Sequence, residues 1–154
     1  MYVSTKKGEK PREERNVALF VDGPNMLRKE FMIDLRELKK RAQRYGRVTI
    51  ARVFINQFAP EKLIEAIINE GYESVMILAQ KEEEANDVDV ALAVSATAAS
   101  LSPEVDVIAL ATRDADFLPV IQKSKASGKL TVLFGAEPGL GSSLKNSADF
   151  VEIL

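Results

Sequence analysis

The stretch VALFVDGPN, residues 17–25, decides how the rest of the chain is interpreted. Its first five residues form an apolar run rich in β-branched and aromatic side chains, which is typical of a strand buried on both faces. Asp22 ends the run, and Gly23 and Pro24 come before Asn25. The stretch therefore predicts a buried strand that brings a carboxylate to the edge of a sheet.

Similar apolar runs recur along the chain and alternate with amphipathic segments, which predicts a parallel sheet joined by crossover helices. The predicted strands are residues 17–21, 48–55, 74–79, 105–111 and 130–134, with an edge strand at 150–153. The predicted helices run from about Phe31 to Tyr45, Pro60 to Gly71, Ala85 to Leu101 and Asp116 to Gly128. This pattern predicts a doubly wound α/β fold, a mostly parallel sheet of five to six strands with helices on both faces, in the order 3-2-1-4-5.

The composition predicts one compact domain. A chain of 154 residues with 46% hydrophobic residues is long and apolar enough to bury a core, and no apolar stretch approaches the roughly 18 residues that span a bilayer. Residues 1–15 mix basic and acidic side chains without apolar periodicity, so we expect a mobile tail there and a domain over residues 16–154. Because the chain has no Cys and its start lacks the apolar core of a secretory signal, we expect a cytoplasmic protein.

The absence of both Cys and His excludes thiolate nucleophiles, imidazole general bases and histidine-ligated metals. Any catalysis would have to use carboxylates, hydroxyls, amines or a hard metal ion. The formal net charge of −2 gives no overall attraction to nucleic acid, so binding to it would require a local basic patch.

Acidic residues follow the two strands between which the predicted strand order reverses. Ligands of such sheets bind at this reversal, beyond the carboxyl ends of the strands. Asp22 leaves the first strand, Asp114 and Asp116 leave the fourth, and the first turn of the third helix adds Asp89, with Asp87 as the competing candidate. Clustered carboxylates either have raised pKa values or bind a cation, and all-oxygen ligands favour Mg²⁺ or Mn²⁺. Asn25 would orient a water or a substrate phosphate.

A structural role is the alternative for each of these acids. An Asp after a strand is most often a helix N-cap, because its carboxylate accepts hydrogen bonds from first-turn amides. This role explains Asp87 and one of Asp114 and Asp116. It explains Asp22 poorly, since the Gly-Pro pair that follows argues against a helix starting there.

Four segments resemble the NYN domains, the LabA-like members of the PIN-like nuclease superfamily. Residues 17–25 are similar to the family's opening motif, in which an Asp and an Asn follow a hydrophobic strand. Residues 87–92 resemble its acid-bearing third helix, residues 112–119 its S/T-x-D-x-D-F-x-P motif, and residues 128–150 its closing strand, serine-bearing loop and helix. The resemblance runs in order from about Asn16 to Leu154.

This resemblance implies a PIN-like, Rossmann-like fold and metal-dependent hydrolysis of RNA. The implied catalytic and metal-binding acids are Asp22, Asp89, Asp114 and Asp116, with Asn25 beside them. We assign RNA contacts to residues that flank the same crevice or lie in the matching motifs: Arg28, Lys29, Arg113, Lys145, Thr112 and Ser143.

Two other functions remain open on the sequence. A non-catalytic RNA-binding or regulatory module is favoured by the net charge, by the run Glu82–Glu84 before the third helix, and by Ser95, where many relatives carry another acid. A phosphotransfer domain also places an Asp after its first strand, but Pro24 stands where the dehalogenase type needs a second Asp. The partners we expect are RNA and a second copy of the chain in a homodimer, and no membrane.

Overall fold

The computed structural model describes residues 10–27, 33–81, 86–136 and 140–154. Within these residues a single six-stranded sheet runs in the order β3-β2-β1-β4-β5-β6, and every neighbouring pair is parallel. The strands are β1 (Asn16–Asp22), β2 (Arg47–Asn56), β3 (Glu73–Ile77), β4 (Val107–Ala111), β5 (Leu130–Gly135) and β6 (Phe150–Ile153). The predicted order of strands one to five is confirmed, and the sixth strand extends it at the edge.

The helices cover both faces of the sheet. They are α1 (Gly23–Met26), α2 (Leu35–Ala42), α3 (Glu61–Asn69), α4 (Asn86–Ser100), α5 (Leu118–Ala126) and α6 (Ser142–Ser147). Side chains of α1, α2 and α3 pack into one core, whereas α4, α5 and α6 pack into the other. None of the described helices is long and apolar enough to cross a membrane.

The central strands are apolar because both of their faces are covered. Residues 17–21 of β1 and all of β4 are buried, and alternate residues of each strand enter opposite cores. Gly128 follows α5 with φ of 83°, a left-handed conformation that favours glycine and ends the helix. This chain reversal returns the backbone to β5, so that β4 and β5 end at the same edge of the sheet.

Three local predictions differ from the structure. The predicted tail is wrong at its end, because Arg12–Glu14 form a 3-10 turn and Arg15 is buried. Second, β3 ends at Ile77 rather than at residue 79. Third, a one-turn helix begins directly after Asp22, since Pro24 fits the first turn of a helix, where no amide donor is needed. The predicted apolar position Phe31 lies outside the described residues.

Candidate active site

The site lies at the carboxyl edge of the sheet, where the strand order reverses. β1 and β4 are direct neighbours, with Val21 opposite Ala111, so the loops that leave the two strands lie side by side. β1 ends at Asp22, and β4 is followed by Thr112, Arg113 and Asp114. The first helical turn of α4, which carries Asp89, reaches the same edge because it follows the loop after β3.

Asp22 is a fully buried carboxylate that is satisfied on one oxygen only. Its Oδ2 accepts hydrogen bonds from Asn25 Nδ2 at 2.7 Å and from Thr112 Oγ1 at 2.9 Å. Its Oδ1 is buried without a hydrogen-bond partner. Burial raises the pKa of Asp22 above its ordinary value, the hydrogen bonds from Asn25 and Thr112 oppose this, and the charge of Asp114 adds to the rise.

Asp89 is the second acid with an unsatisfied oxygen. It lies half-buried on the first turn of α4, and its Oδ1 is buried without a hydrogen-bond partner. Burial is the largest cause that raises its pKa to about 7, followed by the charges of Asp22 and Asp114, a hydrogen bond with Asp114 and the charge of Asp116. A carboxyl with this pKa exists in both protonation states near neutral pH.

Asp114 caps the turn that carries Asp116. Its Oδ1 accepts a hydrogen bond from the Asp116 backbone N–H at 2.9 Å at the start of the 3-10 turn Ala115–Phe117. Phe117 is buried in the core below, which anchors the turn, whereas Asp116 is exposed. The N-cap predicted as the alternative role is therefore present at Asp114, on one of its two carboxylate oxygens.

The four acids form an electrostatically coupled cluster. Asp89 is influenced by the charges of Asp22, Asp114 and Asp116, and Asp22 by that of Asp114, which requires the four side chains to lie near one another. Their oxygens are not already arranged as a coordination shell, since no group of three or more acids among the described residues is placed to hold a metal ion. The acids therefore repel one another, which contributes to the raised pKa of Asp89.

Gly23 fixes the start of this site. A Cβ atom at this position would meet the Phe54 carbonyl oxygen and lie 2.9 Å from Ile55 Cγ2 of β2. Only glycine lets α1 approach β2 this closely, and α1 carries Asn25 against Asp22. The Gly-Pro pair thus places the amide of Asn25 where it holds the buried carboxylate.

Thr112 has a structural role within the site, whereas we predicted that it contacts RNA. It is fully buried, its hydroxyl donates to Asp22, and the same oxygen accepts from the Asp114 backbone N–H at 3.1 Å. One side chain therefore ties together the loops after β1 and β4. The sequence does contain a signal for this role: Thr112 is a hydroxyl residue directly after a buried strand and two residues before Asp114.

The other predicted RNA contacts are placed in part. Arg113 is half-buried in the loop after β4, Lys145 is half-buried on α6, and Ser143 is exposed on the first turn of α6. Arg113 follows β4, and the α6 residues follow β5; these two strands end at the carboxyl edge of the sheet. Arg28 and Lys29, together with the run Glu82–Glu84, lie outside the described residues.

Ser95 does not belong to the acidic cluster. Its Oγ accepts a hydrogen bond from Arg52 Nη1 at 3.1 Å, and Arg52 also pairs with Glu73 at 2.7 Å. Six positions along a helix correspond to 600°, so the side chains of Asp89 and Ser95 leave α4 on different faces. The cluster therefore does not depend on an acid at residue 95. Asp87 is exposed and does not belong to the cluster.

A cavity of about 400 Å³ lies at the opposite edge of the sheet. Its charged side chains bind one another and nearby carbonyl groups: Lys10 lies 3.5 Å from Asp106, and Lys129 Nζ donates to the Ser102 carbonyl at 2.8 Å. These contacts give its charges structural roles, and the acidic cluster remains the candidate site.

The chain is similar to known proteins in sequence and in fold. The family model of the NYN domain matches residues 16–154. An uncharacterised protein of Methanocaldococcus jannaschii is 48% identical over 145 residues, which is 94% of this chain and 58% of that protein, so the chain spans little more than half of this relative. The crystal structure of a protein of unknown function from Vibrio parahaemolyticus is similar in fold, with a TM-score of 0.78, 18% identity and coverage of 95% of this chain and 96% of that one.

Proposed function

This chain belongs to the NYN domain family, which lies in the PIN-like nuclease superfamily, and we propose that its acidic cluster is the active site of a metal-dependent ribonuclease. One observation carries the proposal. Asp22 and Asp89, which come from different elements of the fold, each have a buried carboxylate oxygen without a hydrogen-bond partner, and the charge of Asp22 acts on Asp89. Buried polar atoms in folded proteins almost always have a partner, so the two oxygens indicate a cationic ligand.

The donor set fits a hard divalent cation. Asp22, Asp89, Asp114 and Asp116 supply only oxygen ligands, which Mg²⁺ and Mn²⁺ prefer over softer donors. When bound, such an ion would stabilise charge on the scissile phosphate and lower the pKa of a bound water. Because the acids are not yet arranged as a shell, we expect binding to draw their side chains together.

The remaining residues of the site position these acids. Asn25 and Thr112 occupy Oδ2 of Asp22 with two hydrogen bonds, which leaves Oδ1 as the oxygen available to a ligand. Asp114 uses Oδ1 to hold the Asp116 turn, and it also shares a hydrogen bond with Asp89. We assign Arg113, Lys145 and Ser143 to RNA phosphates because their loops leave the same edge, and we retain Arg28 and Lys29 as expected contacts.

Cleavage of a single-stranded RNA of mixed sequence, with Mn²⁺, with Mg²⁺ and with chelator, tests the proposal. We expect metal-dependent cleavage that Asp22→Asn and Asp116→Asn abolish. Asp87→Asn is the matched control, because Asp87 lies exposed on the same helical turn as Asp89 and should keep full activity. Metal-dependent activity that survives both cluster substitutions would reject the assignment.

A non-catalytic RNA-binding module is the second candidate, favoured by the arrangement of the acids, since no group of three or more among the described residues is placed to hold a metal ion. The same assay separates it from the first. RNA binding by the wild type without turnover, with or without metal, would support the binding module.

The absence of Cys remains our reason to expect a cytoplasmic location.

We also propose a homodimer, formed through the outer face of α4. This face carries no charged residue after Asp89; Val90 and Val94 of α4 are 62% and 65% exposed, and Leu101, directly after the helix, is 62% exposed. The spacing is self-complementary in an antiparallel pair, which would bring Val90 of one copy near Leu101 of the other. Analytical ultracentrifugation should show a dimer that Val94→Glu dissociates, whereas Ile68→Glu, at an apolar position of α3 that is 60% exposed, should leave it intact.

A further inference from the structure

Four neighbouring strands have a charged residue directly before their first residue. These residues are Arg15 before β1, Asp106 before β4, Lys129 before β5 and Asp149 before β6. Because the four strands are parallel neighbours in this order, their amino ends meet at one edge of the sheet. All four residues line the cavity of about 400 Å³ at that edge, which we call the amino-edge cavity.

The lining of the amino-edge cavity has more positive than negative charge. Lys10 and Lys125 also line it, so its described residues contribute four cations and two carboxylates. The whole chain has a formal net charge of −2, so this excess of positive charge is local. A cavity wall with an excess of one sign attracts ligands of the opposite sign. The cavity therefore favours an anion.

The two carboxylates of the lining already have partners in the protein. Asp106 Oδ2 accepts a hydrogen bond from the first backbone N–H of β1 at 2.8 Å, and its Oδ1 lies 3.5 Å from Lys10 Nζ. Asp149 Oδ2 accepts from the backbone N–H and the hydroxyl of Thr131, both at 2.9 Å, and its Oδ1 lies 3.8 Å from Lys125 Nζ. One lysine therefore compensates each carboxylate, and the other cations of the lining add to the positive charge.

The other cations of the lining are Lys129 and Arg15, and the protein holds both in place. Lys129 Nζ donates to the Ser102 carbonyl at 2.8 Å and has no carboxylate partner among the described residues. An ammonium group has three N–H donors, so this contact leaves donors for a ligand. Arg15 is only 7% exposed, and its Nε donates to the Lys10 carbonyl at 3.0 Å. A guanidinium presents its donors in a fork that matches phosphate oxygens.

We propose that the amino-edge cavity binds the phosphate dianion of a small phosphate monoester, such as a mononucleotide. Such a phosphate carries a charge of about −1.5 to −2 at pH 7, which matches the excess charge of the lining, whereas an internal phosphodiester of RNA carries a single charge. The volume falls in the range of about 300–1,000 Å³ that is typical of cavities for small organic ligands. Val105 and Leu130 give the lining an apolar part, against which the sugar or base would pack.

The cavity and the acidic cluster lie at opposite ends of the same strands. β4 has five residues between the two edges, which corresponds to about 16 Å of strand. A phosphate bound in the cavity therefore makes no contact with the acidic cluster. The proposal does not rest on the ribonuclease function, and the two can fail separately.

Isothermal titration calorimetry in chelator tests the site with uridine monophosphate, inorganic phosphate, uridine and succinate. Uridine monophosphate should bind, with an affinity that falls from about 50 to about 300 mM NaCl, and uridine should not bind. Inorganic phosphate that binds as tightly as the nucleotide would assign the affinity to the phosphate alone. Tighter binding of the nucleotide would add contacts of the nucleoside with the apolar part of the lining. Succinate, a dianion without phosphate, should bind more weakly than either.

Substitutions locate the bound phosphate. Lys129→Gln should weaken binding of uridine monophosphate about 10- to 100-fold, which corresponds to the loss of one hydrogen bond to a charged group. Lys129→Arg keeps the charge and should keep the affinity. Lys125→Gln should weaken binding as well, and it tests the site independently if Lys129→Gln fails to fold. Lys123→Gln is the matched control, because Lys123 is exposed on α5 outside the lining. Arg113→Gln, at the acidic edge, should leave the affinity unchanged.

The outcomes separate this site from the ribonuclease assignment. The proposal is overturned if the wild type binds neither uridine monophosphate nor phosphate, if uridine or succinate binds as tightly, or if Lys129→Gln and Lys125→Gln leave the affinity unchanged. Binding that Arg113→Gln abolishes would place the phosphate at the acidic edge and would also overturn it. Binding that depends on Lys129, in a protein that cleaves no RNA with any metal, supports the site and rejects only the nuclease.

Discussion

Replacement of Asp89 by Asn should stabilise the protein when no metal is bound. The pKa of Asp89 rises from 3.8 to about 7, so the native state binds more protons than the unfolded state between these values, and stability falls as pH rises through this window. A shift of this size corresponds to about 4 kcal/mol. Because Asp89 is only half-buried, solvent screens part of it, and we expect about 1–2 kcal/mol at pH 8.

Thermal melts in chelator would measure this effect. For a chain of this size, about 1.5 kcal/mol raises the melting temperature by about 3–6 °C. Asp89→Asn should show this gain at pH 8, and the gain should shrink towards pH 4.5, where the native carboxyl of the wild type is protonated. Asp87→Asn, on the same helical turn, should match the wild type at both pH values. A loss of stability for Asp89→Asn at pH 8, or a gain independent of pH, would refute the electrostatic reasoning.

Three further predictions test the same edge of the sheet. Mn²⁺ at 100 times its Kd should add about 2.7 kcal/mol to the stability of the wild type in thermal melts, and less to that of Asp22→Asn. Asp149→Asn is the control: it should lower the stability without metal, because Asp149 accepts two hydrogen bonds from Thr131, but it should keep the full gain on addition of Mn²⁺. Gly23→Ala should cost about 1–3 kcal/mol in urea unfolding through overpacking against β2, whereas Gly141→Ala, whose Cβ would meet nothing within 4 Å, should be nearly neutral. Asp114→Ala should melt below Asp114→Asn in chelator, since Asn keeps the cap and Ala loses it at about 0.5–2 kcal/mol; equal melting temperatures would show that the cap contributes nothing.

The strand order could be predicted because it depends on features that a single sequence displays. Uninterrupted apolar runs identify strands covered on both faces, and the amphipathic segments between them require crossover connections. The start of α1 was missed for a local reason. Proline usually ends a helix, but in the first turn it replaces an amide that has no partner in any case, so Gly23 and Pro24 are compatible with both a loop and a helix start.

The sequence predicts which loops meet at the candidate site, but it does not predict the contacts between their side chains. Chain order places Asp22 and Asp114 at one edge, since parallel neighbours end together. Which oxygen of Asp22 stays unsatisfied depends on the hydrogen bonds of Asn25 and Thr112, and no spacing in the sequence specifies this.

The electrostatics of the acidic cluster set the requirements for any ligand. Burial of Asp22 favours its protonated form and raises its pKa, and the hydrogen bonds from Asn25 and Thr112 oppose this rise by stabilising the charged carboxylate. Thr112 also fixes the Asp114 loop, so the residue that stabilises the charged form of Asp22 brings a second negative charge towards it. This arrangement opposes folding in the absence of a cation, and ligand carboxylates must be deprotonated to bind one. Between pH 6 and pH 8 the apo protein should therefore lose stability while its affinity for a divalent cation rises, because both changes follow from ionisation of the same cluster.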